Sequence, residues 1–193
     1  MVRKMGPVIT KDKTYIDRDV LLGHPGKENK DLLRDDDFKD LEKVVIGDEV
    51  MIRSGSVIYE GVKLANGVET GHDVLIREFS RIGENSLVGS GGFIEDHCKV
   101  GDDVSIQSDV YLASETVIED GVFLGPKVCV INDKYIDSNI EPARVKEGAK
   151  VGAGSIIMAG VEVGKDAMIG AGSVVTKDVP DGGVAYGNPA EIR

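Results

Sequence analysis

Apolar residues recur every six positions along most of this chain. From residue 46 to residue 135, the first position of each hexapeptide is Ile, Leu or Val, and Thr70 is the one exception. The fifth position is small or apolar in every hexapeptide except the last. An α-helix repeats about every 3.6 residues and an isolated strand every two, so neither explains this period. The pattern predicts a parallel β-helix, in which each rung buries its inner face against the next rung.

Two charged or irregular stretches interrupt the repeat. The first covers about residues 24–45, and the step from Leu22 to Ile46 across it is 24 residues, a multiple of six. We therefore expect this excursion to leave and rejoin the same corner of the helix, as a solvated loop, a lid or a subunit contact. The second interruption covers about residues 133–144. The expected organisation is a single β-helix domain over residues 1–193 that carries both loops on its surface.

The repeat resembles the left-handed β-helix of the hexapeptide-repeat acyltransferases. In that fold three hexapeptides form one coil of a triangular prism, the first and fifth positions point inward, and the third and fourth positions form the corners. Turn-forming pairs such as Asn66-Gly67 and Asp120-Gly121 occupy the third and fourth positions here, in agreement with this geometry. The predicted fold class is all-β, a left-handed parallel β-helix.

Composition and charge narrow the possible partners. The 193 residues carry a net charge of −11, which argues against non-specific binding to nucleic acid or to an anionic membrane. The two cysteines, Cys98 and Cys129, do not suggest a disulfide framework and favour a reducing compartment. The sequence has no recognisable signal peptide and no long apolar run, so we expect a cytoplasmic protein.

Steps of 18 residues, one coil each, arrange the corner residues in three columns. The first corner is acidic and turn-like, and we interpret it as solvated surface. The second corner carries His72 beside Asp73. The third corner carries Glu78, Asp96, His97, Ser114, Asn132 and Asp133. Because carboxylates orient imidazoles and tune their basicity, Asp96, His97 and His72 are the candidate catalytic residues, although a lone corner histidine is more often plain surface.

Several segments resemble, more narrowly, the N-acyltransferases that act on nucleotide-linked amino sugars. These are VFLGPKVCVINDKYIDS, RVKEGAKVGAGSIIMAGVEVG, SVVTKDVP and GNPA. The resemblance implies an acyl-CoA co-substrate such as acetyl-CoA, a nucleotide-linked amino-sugar acceptor, no metal, and a homotrimer with CoA between neighbouring prisms. The substrate-binding residues it implies are Asn132, Asp133, Tyr135, Glu78 and Ser114. The CoA-binding residues it implies are Ala159, Gly160, Lys165, Lys177 and Arg193.

The second interruption favours an amine over a hydroxyl as the acceptor group. Related enzymes that acetylate hydroxyls carry a histidine in this loop, and residues 133–144 contain none. A hydroxyl needs a base to become a nucleophile, whereas a neutral amine attacks a thioester unaided. A hydroxyl acceptor stays open, because His72 or His97 could supply the base across a subunit interface.

Three other functions stay open. A γ-type carbonic anhydrase shares the fold but needs three zinc-binding histidines, and His24, His72 and His97 lack the close pair of that family. A non-catalytic β-helix scaffold is the second alternative, because fold alone does not determine function. The third is an acetyltransferase for another small acceptor, such as a hydroxyl compound or an antibiotic.

Overall fold

The chain forms a parallel β-helix with almost no α-helix, as the period of six predicts. It is left-handed, as the resemblance to the hexapeptide-repeat acyltransferases implies. The computed structural model describes residues 2–35, 37–133 and 140–193, and the side chain of residue 35 is not included. Tyr135 therefore lies outside the described residues. No helix in the described segments is long or apolar enough to cross a bilayer.

Most strands contain only two residues, because each side of the prism is one short rung. The elements are β1 Arg3–Lys4, β2 Val8–Thr10, β3 Tyr15–Ile16, β4 Leu21–His24, α1 Leu32–Asp35, β5 Val44–Ile46, β6 Met51–Ile52, β7 Val57–Tyr59, β8 Lys63–Leu64, β9 Glu69–Thr70, β10 Leu75–Ile76, β11 Arg81–Ile82, β12 Leu87–Val88 and β13 Phe93–Ile94. They continue as β14 Lys99–Val100, β15 Ser105–Ile106, β16 Tyr111–Leu112, β17 Val117–Ile118, β18 Phe123–Leu124, β19 Cys129–Val130, β20 Arg144–Val145, β21 Lys150–Val151, β22 Ile156–Ile157, β23 Glu162–Val163, β24 Met168–Ile169, β25 Val174–Val175, β26 Val184–Gly187 and β27 Ala190–Ile192.

Every third strand joins the same sheet, which gives the prism three faces. Sheet A runs β1-β4-β7-β10-β13-β16-β19-β22-β25, and sheet B runs β2-β5-β8-β11-β14-β17-β20-β23. Sheet C runs β3-β6-β9-β12-β15-β18-β21-β24-β26-β27. Neighbouring strands are parallel and aligned one coil apart, as in Leu75 opposite Phe93. The register shifts between Leu22 and His24 where β4 pairs with β7, and β27 pairs antiparallel with β26.

The inward positions are the ones the sequence pattern predicts. From residue 46 to residue 130 the first position of every hexapeptide is buried, and Ile94 and Ile106 are 0% exposed. The core is one continuous cluster that extends from Val20 to Ala185. The inward Thr70 is also fully buried, and its Oγ1 accepts a hydrogen bond from the Arg53 backbone N–H at 3.1 Å. A polar inward residue is tolerated there because it is hydrogen-bonded.

Both interruptions leave the prism at its third corner, between sheets A and B. The first connects β4 of sheet A to β5 of sheet B, and the second connects β19 of sheet A to β20 of sheet B. The expectation that the first excursion rejoins its own corner is confirmed. The third corner is therefore the edge of the prism at which non-repetitive segments approach the column of corner side chains.

Candidate functional site

A hydrogen-bonded chain of side chains follows the third corner. His97 Nδ1 lies 2.9 Å from Asp96 Oδ2, and the Ser114 hydroxyl donates to Asp96 Oδ1 at 2.7 Å. One rung further, Asn132 Nδ2 donates to the Ser114 carbonyl oxygen at 3.0 Å. In the Nδ1–H tautomer His97 donates to Asp96, which leaves Nε2 as the basic atom of the ring. The structure thus brings together four residues that the sequence analysis placed in one column.

Asp96 is arranged to orient His97 more than to accept a proton itself. Burial alone would raise the pKa of Asp96, but hydrogen bonds from Ser114 and His97 outweigh it and the net pKa is lowered. Both carboxylate oxygens are engaged by these two donors. The imidazole is 56% exposed, whereas the Asp96 side chain is 30% exposed. The accessible member of the pair is therefore His97.

A cleft of about 310 Å³ lies over this column. The third corner forms one wall of the cleft, and the first excursion forms the other. Ile140, from the second interruption, also lines the cleft. The residues that line it include Lys27, Glu28, Asn29, Glu60, Glu78, Asp96, His97, Ser114, Glu115 and Ile140. The excess of carboxylates gives the cleft a negative potential, which favours a cationic or amine-bearing ligand.

Glu60 holds the first excursion against the corner. Its carboxylate accepts hydrogen bonds from the Gly26 N–H at 2.7 Å, from Asn29 Nδ2 at 2.9 Å and from the Glu42 N–H at 3.3 Å. Glu60 is only 1% exposed, so these donors replace the water that its carboxylate gives up. The excursion is consequently anchored at both of its ends by one buried side chain.

Glu78 makes a second anchor and shares it with Arg77. Its carboxylate accepts a hydrogen bond from the Lys27 N–H at 2.9 Å and forms an ion pair with Arg77, whose Nε lies 2.8 Å away. Burial would raise the pKa of Glu78, but the bonds from Arg77 and Lys27 lower it overall. Arg77 also pairs with Glu95 at 3.2 Å and lies over the Tyr59 ring at 5.1 Å. Glu78, expected to bind substrate, lies in the cleft wall with its carboxylate engaged by the excursion.

The sequence analysis assigned no role to Glu60, which belongs to the third-corner column, or to the outward-facing residues Tyr59, Arg77 and Glu95. Sequence signals for them do exist. Arg77-Glu78 and Glu95-Asp96 occupy the same hexapeptide positions one coil apart, so opposite charges face each other across neighbouring rungs. Glu60, in turn, begins the carboxylate column of the third corner. What the repeat does not reveal is that the excursion folds back onto them.

Bulky residues adopt a left-handed backbone conformation at this corner. Phe79 has a φ of 61° and His97 a φ of 57°, and their rings pack at a centroid distance of 5.2 Å. The corresponding first-corner positions, Glu49, Gly67, Asn85 and Asp103, also have positive φ. The conformation is therefore common to the corners, and the third corner differs by the pair of aromatic rings that it carries.

Asp133 and His72, also predicted to act on the acceptor, lie on two different corners. Asp133 follows Asn132 at the third corner. His72 is exposed on the second corner, where its Nδ1 lies 2.9 Å from Ser54 Oγ. It does not line the cleft within one chain. In the described part of the chain, no group of three His, Cys, Asp or Glu side chains is arranged to hold a metal ion.

Three of the five predicted CoA-binding residues share the third-corner edge. Ala159 and Gly160 lie between β22 and β23, and Lys177 is the exposed corner residue one coil further. Lys165 instead lies on the first corner and pairs with Glu147 at 2.9 Å. Arg193 follows the terminal hairpin of sheet C, over the ring of Tyr186 at 5.3 Å. Within one chain these two cations do not share an edge with the others.

Comparison with known proteins identifies the family. Residues 142–177 match the family described as bacterial transferase hexapeptide (six repeats). Nodulation protein L of Rhizobium meliloti (strain 1021) is 34% identical over 125 residues, which cover 55% of this chain and 68% of that protein. The chain belongs to this hexapeptide family of transferases.

Other relatives share shorter or more divergent regions. The bifunctional protein GlmU of Brevibacillus brevis is 30% identical over 200 residues, or 96% of this chain and 41% of GlmU, so the chain spans less than half of that relative. A dTDP-3-amino-3,6-dideoxy-alpha-D-galactopyranose 3-N-acetyltransferase of Aneurinibacillus thermoaerophilus is 45% identical over 49 residues, 25% of this chain and 26% of that enzyme.

A solved structure shares the fold along almost the whole chain. The UDP-N-acetylglucosamine acyltransferase from Campylobacter jejuni superposes with a TM-score of 0.70 over 99% of this chain and 74% of that one, at 16% sequence identity. At this identity the similarity establishes the β-helix alone.

Proposed function

We propose that this protein is an acyl-CoA-dependent N-acyltransferase that transfers an acetyl group to the amine of a nucleotide-linked amino sugar. The observation that carries the proposal is the His97–Asp96–Ser114 chain, which lies in a cleft rich in carboxylates. An oriented imidazole can accept a proton, and the negative cleft favours an amine. Family membership and the 49-residue similarity to an amino-sugar N-acetyltransferase support the same reaction.

The reaction proceeds by direct transfer. The neutral sugar amine attacks the thioester carbonyl, so that a C–N bond forms and the C–S bond breaks. His97 Nε2 accepts the proton that the amine loses, and the imidazolium returns it to the departing CoA thiolate. Asp96 stabilises the imidazolium through its contact with Nδ1. Backbone N–H groups near Asn132 stabilise the oxyanion, and Asn132, Asp133, Tyr135, Glu78 and Ser114 bind the acceptor.

The acyl donor occupies the same edge on later coils. Ala159 and Gly160 lack bulk, so the pantetheine arm can approach the backbone closely between β22 and β23. Lys177, exposed one coil further, is placed to meet a CoA phosphate. Lys165 and Arg193 reach CoA only if a second chain brings their surfaces to this edge.

We also propose that the active form is a homotrimer. The outward row of sheet A is apolar and half-buried at Leu75, Phe93, Tyr111 and Ile156. Sheet A is bounded by the second and third corners. In a trimer with sheet A of each copy facing the threefold axis, the second corner of one copy lies against the third corner of the next. His72, on the second corner, would then approach the cleft of the neighbouring copy. Light scattering tests this, and a fully active monomer at micromolar concentration contradicts it.

The compartment is proposed from thiol chemistry alone. Cys98 and Cys129 are both free, which agrees with the reducing cytoplasm expected from the sequence.

A thiol-release assay tests the reaction. Purified protein is incubated with acetyl-CoA and one acceptor at a time, from nucleotide-linked amino sugars, free amino sugars, hydroxyl sugars and aminoglycosides. We expect CoA release and a product heavier by one acetyl group only with nucleotide-linked amines. Transfer to a hydroxyl or an antibiotic would instead support the alternative acceptor. Absence of both transfer and thermal stabilisation by CoA would support a scaffold.

A further inference from the structure

Three consecutive rungs of sheet B present cations on the outer face of the prism. Lys63, Arg81 and Lys99 occupy the same position of β8, β11 and β14 and are in direct register with one another. All three are exposed. Neighbouring rungs lie about 4.8 Å apart, so the three side chains form one basic stripe beside the third corner.

In the described part of the chain, the basic stripe has no carboxylate partner. Among the described residues, none lies within ion-pair distance of Lys63, Arg81 or Lys99. Arg144, at the equivalent position of β20, does pair with Glu119 at 2.9 Å. The chain as a whole has 34 acidic residues and a net charge of −11, so an unpaired row of cations stands out from its surroundings. Like charges this close repel, and a bound anion would relieve that repulsion.

The basic stripe opens directly onto the candidate site. Arg81 and Lys99 line a depression of about 660 Å³ together with Phe79, His97 and Asp96. Arg81 and Lys63 line the next depression along the same face, of about 410 Å³. Lys99 is two residues after His97, so their Cα atoms are at most about 7 Å apart. Arg81 lines both depressions and is the central cation of the stripe.

The third corner therefore separates two surfaces of opposite charge. Glu60, Glu78 and Asp96 line the cleft on one side, and the basic stripe lies on the other. Asp96 and Glu115 are the carboxylates among the residues that line the depression with Arg81 and Lys99. Glu119, Asp120 and Glu147 line the adjoining depression, beyond ion-pair distance of the stripe. A ligand with an amine at one end and a diphosphate at the other complements both surfaces at once.

We propose that Lys63, Arg81 and Lys99 bind the diphosphate of the nucleotide-linked acceptor and so place its amine at His97. The assignment rests on the proposed function for the identity of the acceptor. Arginine and lysine are suited to this role because their N–H groups donate charge-assisted hydrogen bonds to phosphate oxygens.

The position of the stripe favours the acceptor over CoA, which also contains a nucleoside diphosphate. The basic stripe lies on the coils of β8, β11 and β14. Ala159, Gly160 and Lys177 lie on later coils, toward the other end of the prism. Two nucleotides that enter from opposite ends can meet at His97 and Asn132 without competing for the same cations.

Binding measurements test the proposal without relying on turnover. Titration calorimetry with UDP, dTDP and GDP, and separately with CoA, is applied to the wild type and to Arg81→Gln, Lys99→Gln and Lys63→Gln. Lys150→Gln is the matched control, since Lys150 is an exposed lysine at the same hexapeptide position on sheet C. Thermal unfolding of each variant checks that the exposed substitutions leave the β-helix intact.

We expect Arg81→Gln to weaken binding of the preferred nucleoside diphosphate about 10- to 100-fold, with CoA affinity and the Lys150→Gln control unchanged. Unchanged diphosphate affinity in all three stripe variants, or no diphosphate binding by the wild type, would overturn the proposal. Weakened CoA binding would overturn the acceptor assignment and would show that the basic stripe binds the acyl donor instead. Loss of an oligomer in the variants, with diphosphate binding intact, would identify a subunit contact instead. If diphosphate binding depends on Arg81 but no acyl transfer occurs, the binding assignment stands and the proposed reaction fails.

Discussion

His97 Nδ1 lies 2.9 Å from Oδ2 of Asp96, the residue that precedes it in the chain. Both occupy one tight corner, where His97 has a positive φ (57°) and the chain turns from sheet A to sheet B. Ser114, one rung away, holds the second carboxylate oxygen at 2.7 Å. The proposed catalytic pair therefore requires only one hexapeptide and one neighbouring rung, and the rigid β-helix fixes its orientation.

Replacement of His97 should slow the chemical step more than replacement of Asp96. We expect His97→Gln to lower kcat about 10²- to 10⁴-fold, the usual contribution of a general base. Asp96→Asn should have a smaller effect, because the imidazole remains but loses its orienting carboxylate. The measurement is kcat and KM against pH with acetyl-CoA and the acceptor found in the thiol-release assay.

Asp102→Asn is the control for Asp96→Asn. Asp102 is the corresponding residue of the first corner, where its Oδ1 accepts the Glu84 N–H. It should leave kcat unchanged. If His97→Gln and Asp96→Asn both retain kcat within a few-fold of the wild type, the amine loses its proton elsewhere and His97 is not the base.

Removal of the Glu60 carboxylate should release the first excursion while the β-helix stays folded. Glu60→Ala leaves the Gly26 and Glu42 N–H groups and the Asn29 amide without their acceptor. We expect a loss of stability of about 1–3 kcal/mol, typical of unsatisfied buried donors. Hydrogen exchange should increase between residues 24 and 43 and remain slow in the strands.

Glu49→Ala is the comparison for Glu60→Ala. Glu49 forms an exposed ion pair with Lys13, and such pairs contribute little. Its removal should alter neither the melting temperature nor exchange in the excursion. Equal exchange in Glu60→Ala and the wild type would show that the excursion is held by other contacts.

A charge placed at an inward position should unfold the rungs. Ile106 is 0% exposed in the core, and an unpaired carboxylate there costs several kcal/mol. We expect Ile106→Asp to lose the β-sheet circular dichroism signal or to melt far below the wild type. Ser105→Asp places the same charge on the adjacent outward residue and should melt near the wild-type temperature. Similar melting of the two variants would contradict the inward assignment.

The anchor at Glu78 should make stability depend on pH in the acid range. The pKa of Glu78 is lower in the folded protein than its ordinary value, because bonds from Arg77 and Lys27 outweigh the effect of burial. Folding therefore favours the carboxylate. The stabilisation is complete above the ordinary pKa of about 4.3 and is lost as pH falls through the lowered folded value.

Urea unfolding from pH 7 to pH 2.5 measures this dependence. Glu78→Gln should be less stable than the wild type at pH 7, and the difference should shrink below about pH 4. Glu95 acts in the opposite direction, since burial raises its pKa despite Arg77. Because Glu95 is present in both proteins, its contribution cancels in the difference in stability between Glu78→Gln and the wild type. A difference that stays constant down to pH 2.5 would contradict the role of the Glu78 carboxylate.

The sequence alone determined the fold, its inward positions and the column that contains Asp96, His97, Ser114 and Asn132. It could do so because each rung contacts only its two neighbours, so a period of six fixes both the burial and the stacking of every position. The sequence also predicted that the first excursion leaves and rejoins the same corner, because the 24 residues from Leu22 to Ile46 are a multiple of six.

Only the tertiary structure decided what lies on that column. The excursion closes over it through contacts between residues far apart in sequence, such as the Lys27 N–H with Glu78 and the Asn29 amide with Glu60. These contacts obey no repeat, because they depend on how an irregular loop satisfies two buried carboxylates. The charge pattern of the surface also depends on the fold. Among the described residues, Lys63, Arg81 and Lys99 have no carboxylate within ion-pair distance. The sequence could not show this, because ion pairing depends on which side chains the neighbouring rungs and loops bring within reach.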